Sequence, residues 1–150
     1  MGSNQSVSSF SNPVHPRVIL VDDSSSVLQD LRLLLELPGD IEIIAEASNG
    51  QEAVRLADAL APDVVIMDLE MPILNGYAAT CQIKSHLPAT RVVILSVHAG
   101  LEEQEKAYAA GADYFVVKGS GYEALLNAIL GKSAPPDSPK RSRKKVTGFE

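Results

Sequence analysis

Residues 18–36 read VILVDDSSSVLQDLRLLLE, and this stretch decides the fold. Four consecutive apolar residues, Val18–Val21, form a β-branched run of strand length with no polar alternation. That is the pattern of a strand buried on both faces of a parallel sheet. The run stops at an acidic pair, Asp22-Asp23, and the period then changes. Val27, Leu28, Leu31, Leu34 and Leu35 follow helical spacing and predict an amphipathic helix.

The same unit recurs along the chain. Further strand-like runs stand at Ile41–Ala45, Val64–Met67, Val92–Leu95 and Tyr114–Val117. Between them lie helical stripes: Ala53, Val54, Ala57, Leu60 and Ala61 in one, and Tyr122, Leu125, Leu126, Ile129 and Leu130 in the last. Pro38-Gly39 and Pro62 close the first two helices, and Gly111 is placed to cap the fourth. That fourth helix, about Leu101 to Ala110, carries a weak stripe and opens on Glu102, Glu103 and Glu105, so it should be the least firmly held. Five βα repeats with right-handed crossovers predict an α/β fold, a doubly wound five-stranded parallel sheet with five helices on both faces.

In such sheets ligands bind beyond the carboxyl ends of the strands. Asp22-Asp23 follow the first strand, Asp68 the third, Ser96 the fourth and Lys118 the fifth. No strand is followed by GxGxxG or a Walker loop, so the cradle of a dinucleotide or nucleoside triphosphate is missing. Three carboxylates at one sheet edge repel unless something positive sits among them, and an oxygen ligand set suits Mg²⁺ better than zinc. A carboxylate, a divalent cation, a lysine and a hydroxyl are the parts needed to form and stabilise an acyl phosphate. Taken singly, an Asp after a strand is also a good helix N-cap, and Ser96 or Lys118 alone would be an ordinary loop residue. Their coincidence at one edge carries the reading.

The strings VILVDDSSSVLQDLRLLLE, DVVIMDLEMPILNGYAA, RVVILSVHA and GADYFVVKG resemble the receiver domain of two-component response regulators. The SVHA and VVKG wording is similar to receivers that precede LuxR-type helix-turn-helix outputs. The resemblance implies a flavodoxin-like strand order 2-1-3-4-5. It implies Asp68 as phosphoacceptor and Asp23 and Asp68 as direct Mg²⁺ ligands, with Asp22 acting through water and the backbone carbonyl of Glu70 as a further ligand. Lys118 would pair with the phosphoryl oxygens, and Ser96 would shift toward the phosphoryl group on activation. Phe115, three residues before the lysine, takes the place of the family's aromatic switch. Glu70 and His98 fall at two positions that tune dephosphorylation. Val97 stands where the family usually has a small residue, and Gly119 where a proline is common. Held stiffly by the strand before it, Val97 is expected to hinder access to Asp68 and slow phosphoryl exchange, with His98 a mobile loop residue. Pro72 and Asn75-Gly76 are read as turn residues of the loop after Asp68.

The implied donor is a sensor histidine kinase or phosphotransfer protein. The fourth helix, fifth strand and fifth helix are expected to form the output face, with a homodimer on phosphorylation as the default use of it. The alternative is the regulatory half of a DNA-binding transcription factor, with identical receiver residues. An aspartyl-phosphate phosphohydrolase would want a second Asp two residues beyond the nucleophile, where Glu70 stands.

Composition bounds the rest. With 45% hydrophobic and 21% charged residues in 150, the chain has the composition of one ordinary globular domain. Cys81 is alone, which excludes an internal disulfide. The start lacks the basic and apolar regions of a secretory leader, and no run reaches the length of a membrane span, so a cytoplasmic setting is expected. The net charge of −6 divides unevenly: residues 132–150 carry six basic and two acidic groups, leaving residues 1–131 with seven and seventeen. An acidic body does not suit specific nucleic-acid binding. Three parts are expected: a Ser/Asn-rich arm at 1–16, a domain at 17–131 and a basic Pro/Ser-rich tail or linker at 132–150, too short for a helix-turn-helix.

Overall fold

Strands β1 (Arg17–Val21), β2 (Glu42–Ala47), β3 (Val64–Met67), β4 (Arg91–Ser96) and β5 (Tyr114–Val117) alternate with helices α1 (Ser25–Glu36), α2 (Gly50–Leu60), α3 (Gly76–His86), α4 (Leu101–Ala109) and α5 (Tyr122–Leu130). The computed structural model describes residues 15–98 and 100–132. The expected arm and tail fall almost wholly outside the described residues. All pairings are parallel, and the strand order is 2-1-3-4-5, as expected.

The near-continuous apolar runs are explained by two cores. Val18, Leu20, Val64, Ile66, Val93 and Leu95 point to the face covered by α1 and α5. Their neighbours Ile19, Val21, Val65, Met67, Val92 and Ile94 point to the face covered by α2, α3 and α4. Both sides of the central strands are therefore apolar, as the two-residue period of a strand requires.

Some boundaries differ from expectation. The second strand starts one residue later than Ile41 and runs on to Ala47, because Glu46 and Ala47 continue the ladder opposite Leu20 and Val21. Leu34, placed on the buried stripe of α1, is 44% exposed. It lines an open cleft between α1 and α5 rather than the closed core. The fourth helix ends at Ala109 with Ala110 as its cap, and Gly111 follows at φ +109, a conformation that favours glycine.

The helix starts fall into two groups. Ser24, Asn49 and Asn75 accept a hydrogen bond from the backbone N–H three residues on, capping α1, α2 and α3. Helices α4 and α5 start from Gly100 and Gly121 with no side-chain cap. Only Ala107 of α4 is fully buried, in line with the weak stripe.

At the amino ends of the strands, long polar side chains close the helices onto the sheet. Arg17 donates to the carbonyls of Leu60 and Ala61 at the end of α2, and Arg91 donates to Ile129 near the end of α5. Lys84 of α3 donates to the Thr90 carbonyl at 2.8 Å and to Asp113 at 2.9 Å. A cation at a helix carboxyl end satisfies orphan carbonyls and complements the helix dipole.

Candidate functional site

Strand pairing alone assembles the site. Val21 lies opposite Met67, and Ser96 opposite Val117. The residues that come next, Asp22, Asp68 and Lys118, are therefore neighbours at one sheet edge. The edge lies where the chain order reverses between β1 and β3, the usual place for a ligand in a doubly wound sheet. Backbone bonds secure it: Asp22 N–H donates to Ala47, Asp68 N–H to Val21 and Lys118 N–H to Ser96.

Asp22, Asp23 and Asp68 each present a carboxylate oxygen within 4.8 Å of the others. Asp22 is only 3% exposed, and its Oδ1 accepts the Ser24 N–H at 3.0 Å. Asp23 is exposed and Asp68 half-buried. The Lys118 ammonium sits among them, 3.0 Å from Asp22 and 3.7 Å from Asp68. Burial pushes the Asp68 carboxyl above the ordinary carboxylate range, with the Asp22 charge adding to it; Lys118 and the Leu69 N–H pull the other way without cancelling the effect. A donor set of hard carboxylate oxygens with excess negative charge fits a small divalent cation such as Mg²⁺.

Ser96 ends β4, is buried, and its hydroxyl accepts the His98 N–H at 3.1 Å. Phe115 lies within β5 and packs against the α2–α4 core. Glu70 and His98 come from different loops yet meet, with Nε2 of His98 3.4 Å from a Glu70 oxygen. His98 is exposed, and it makes a backbone contact to Ser96 and a ring contact to Glu70. The expectation of a strand-held Val97 is corrected. It lies one residue beyond β4 and is 63% exposed, so the strand does not stiffen it.

The loop after Asp68 is also built differently from a simple turn at Asn75-Gly76. Asn75 is the α3 cap, and Gly76 is the first helical residue, packed so closely that a Cβ there would collide with the Asp68 carbonyl. The tight bend is instead at Ile73, at φ +71, where the Leu74 N–H bonds the Pro72 carbonyl at 2.7 Å in a γ-turn. A β-branched residue rarely adopts that conformation, so the bend is strained. The Glu70–His98 contact had no signal in the sequence because it depends on a neighbour set by the tertiary fold, and the Ile73 bend had none because a β-branched residue is not one that marks a left-handed turn.

Comparison with known proteins agrees with this geometry. The family described as response regulator receiver domain matches residues 18–130. The transcriptional regulatory protein LiaR of Bacillus subtilis (strain 168) is 38% identical over 128 residues, 85% of this chain and 60% of that protein. A protein-glutamate methylesterase/protein-glutamine glutaminase of Methanospirillum hungatei is 45% identical over 94 residues, 63% of this chain and 27% of that protein. The crystal structure of a LuxR-family two-component response regulator from Aurantimonas sp. SI85-9A1 superposes with a TM-score of 0.75 at 32% identity, covering 90% of this chain and 98% of that one. The chain spans less than two thirds of the length of the curated relatives it matches.

Proposed function

Since the chain belongs to the response regulator receiver family, in which switching by phosphorylation is general, we propose that it is a signalling module phosphorylated on Asp68 by the phosphohistidine of a sensor histidine kinase or phosphotransfer protein. The observation that carries this reading is the cluster itself: Asp22, Asp23 and Asp68 within 4.8 Å, with Lys118 bridging Asp22 and Asp68.

The chemistry follows from those positions. An Asp68 carboxylate oxygen attacks the phosphorus in line, the P–N bond to the donor imidazole breaks, and the imidazole leaves with its electron pair and takes up a proton. The transfer needs negative charge neutralised on the moving group. Lys118, already beside Asp68, supplies one positive charge to the phosphoryl oxygens, and the Ser96 hydroxyl supplies a donor. Asp23 and Asp68 would hold Mg²⁺ directly, with Asp22 through water and the Glu70 carbonyl as further ligands. When bound, the cation neutralises charge on the phosphoryl oxygens. Hydrolysis reverses the modification when water attacks the same phosphorus, the P–O bond to Asp68 breaks, and the free carboxylate and inorganic phosphate are released. Glu70 and His98 line the rim and tune that step, with the exposed Val97 beside them.

The chain acts on its own Asp68 and not on a separate substrate, so it is a binding module and not an enzyme. Its output is a change in the α4–β5–α5 face, with Ser96 and Phe115 as switch residues, and dimerisation is the proposed use of that face. Relatives named as transcriptional regulators support the second reading, in which this domain controls a DNA-binding partner domain. Among the described residues no helix is long and apolar enough to cross a membrane, and a cytoplasmic setting is proposed.

The test is incubation with Mg²⁺ and acetyl phosphate followed by intact-mass and oligomeric-state measurement. One added phosphoryl group is expected in the wild type, and none in Asp68→Asn or after chelation by EDTA. Labelling of Asp68→Asn equal to wild type would overturn the assignment.

A further inference from the structure

Helix α4 is the natural moving part, and its contact with α3 through Lys106 is informative. Lys106 places its ammonium 5.4 Å from the centre of the Tyr77 ring, within cation–π range. Tyr77 stands in the first turn of α3, immediately after the Gly76 that packs against Asp68. Its ring is partly buried against the α2–α4 core. Burial and the charges of Glu103, Glu70 and Glu102, in that order, make its hydroxyl harder to ionise. The Tyr77 hydroxyl thus lies in the field of two α4 carboxylates and of Glu70. The Glu103 side chain folds back over Gly100, the uncapped start of α4, where a Cβ would meet its carboxylate.

Glu70 leads back to the chemistry. It contacts His98, whose N–H is held by the Ser96 hydroxyl. A route therefore runs by contact from Ser96 through His98 to Glu70, and from Glu70 to Tyr77, over which Lys106 sits, through charge alone. It lies along the α3 side of α4 and does not pass through Phe115.

We propose that Tyr77 and Lys106 form the coupling contact through which the Ser96–His98–Glu70 cluster sets the position of α4. The proposal rests on the phosphorylation reading for its trigger. A Ser96 hydroxyl drawn to a phosphoryl group on Asp68 moves away from the His98 N–H. The His98 loop is then released, and Glu70 loses its partner beside Tyr77. The balance of charge around the Tyr77 hydroxyl and Lys106 changes, and α4, with one fully buried residue, shifts in response. Tyr77 and Lys106 are positioning residues and take no part in phosphoryl transfer.

The experiment is hydrogen exchange by mass spectrometry on the full chain, with and without acetyl phosphate and Mg²⁺, and with phosphoryl occupancy read from intact mass. Wild type, Lys106→Met, Lys106→Arg and Tyr77→Leu are compared at equal occupancy. Phosphorylation should change exchange in residues 101–109 of the wild type and of Lys106→Arg, which keeps a cation over the ring. The change should shrink by about twofold or more in Lys106→Met and Tyr77→Leu, a margin beyond the scatter of independent sites. An undiminished response in both variants overturns the proposal. A wild type that takes up no phosphoryl group overturns the phosphorylation reading instead. The coupling is then read in the unmodified chain: His98→Ala should alter α4 exchange when Lys106 is present and not in Lys106→Met. Equal effects in the two backgrounds would refute it.

Discussion

Asp68→Asn should make the metal-free protein more stable, although it removes the proposed acceptor. The three carboxylates lie within 4.8 Å of one another. At an effective dielectric constant of about 20, a pair at that separation repels by roughly 3.5 kcal/mol, and Asp68 takes part in two such pairs. Lys118, 3.7 Å away, returns roughly 4.5 kcal/mol on the same scale. The imbalance against ionised Asp68 is on the order of 2 kcal/mol, before the cost of burying its charge is added. Asparagine keeps the oxygen that accepts the Leu69 N–H at 2.9 Å, so the substitution removes charge without orphaning a donor. Burial and Asp22 hold the Asp68 proton more tightly in the folded chain than in the unfolded one. The penalty is therefore absent below the ordinary Asp range, grows as the pH rises through the raised value, and is complete at neutrality. Urea unfolding in EDTA should show a gain of about 2 kcal/mol for Asp68→Asn at pH 7, equivalent to a melting shift on the order of 8 °C. Near about pH 3.5, in the ordinary Asp range, the gain should largely vanish. Millimolar Mg²⁺ should then stabilise the wild type while leaving the variant nearly unmoved. No gain at pH 7, or the same gain at both pH values, would show that Lys118 already balances the cluster.

Three further outcomes follow from particular side chains. Thr80 is fully buried in α3 and its hydroxyl has no hydrogen-bond partner among the described residues; Thr80→Val should therefore raise the unfolding free energy by about 1 kcal/mol in urea melts. Ile73→Gly should relieve the left-handed bend, and the strain released, on the order of 1 kcal/mol, should appear as unchanged or increased stability where most exposed-site glycines would destabilise. Because the His98 ring reaches Glu70 two residues beyond Asp68, His98→Ala should change the rate of phosphate loss from Asp68 by about 10-fold or more, as expected of a water-positioning group. Val97→Ala should change it only slightly, as autodephosphorylation followed by intact mass would show.

The architecture was legible because its signals are local. Val64–Met67 could be read as a doubly buried strand from four adjacent apolar residues, and each faces one of the two cores. Asp22, Asp68 and Lys118 could be brought together in advance because strand ends in a parallel sheet share an edge whatever the loops do. What escaped was pairwise and long-range. Glu70 and His98 are 28 positions apart, on loops whose meeting is decided by the approach of β3 and β4. That Val97 points to solvent was equally hidden, because a single apolar residue just past a strand end carries no signal of which way it faces. Asn75-Gly76 is a strong turn signal in isolation, yet the same residues cap α3 and allow it to approach Asp68. Local preference named the residue types correctly there, and packing chose the use made of them.

The clamps by which Arg17, Arg91 and Lys84 tie helix ends to the sheet all sit at the amino ends of the strands. The carboxylates sit at the carboxyl ends. On the proposed phosphorylation reading, the molecule thus has a chassis end and a timing end, about one strand length apart. Rim residues such as Glu70, Val97 and His98 can be exchanged without disturbing the clamps, because none of those clamps passes through them. A lineage built on this plan could reset how long a signal persists by single substitutions at the timing end, while the chassis is inherited unchanged. An engineer wishing to alter signal duration in this protein should accordingly randomise the rim and leave the strand starts alone.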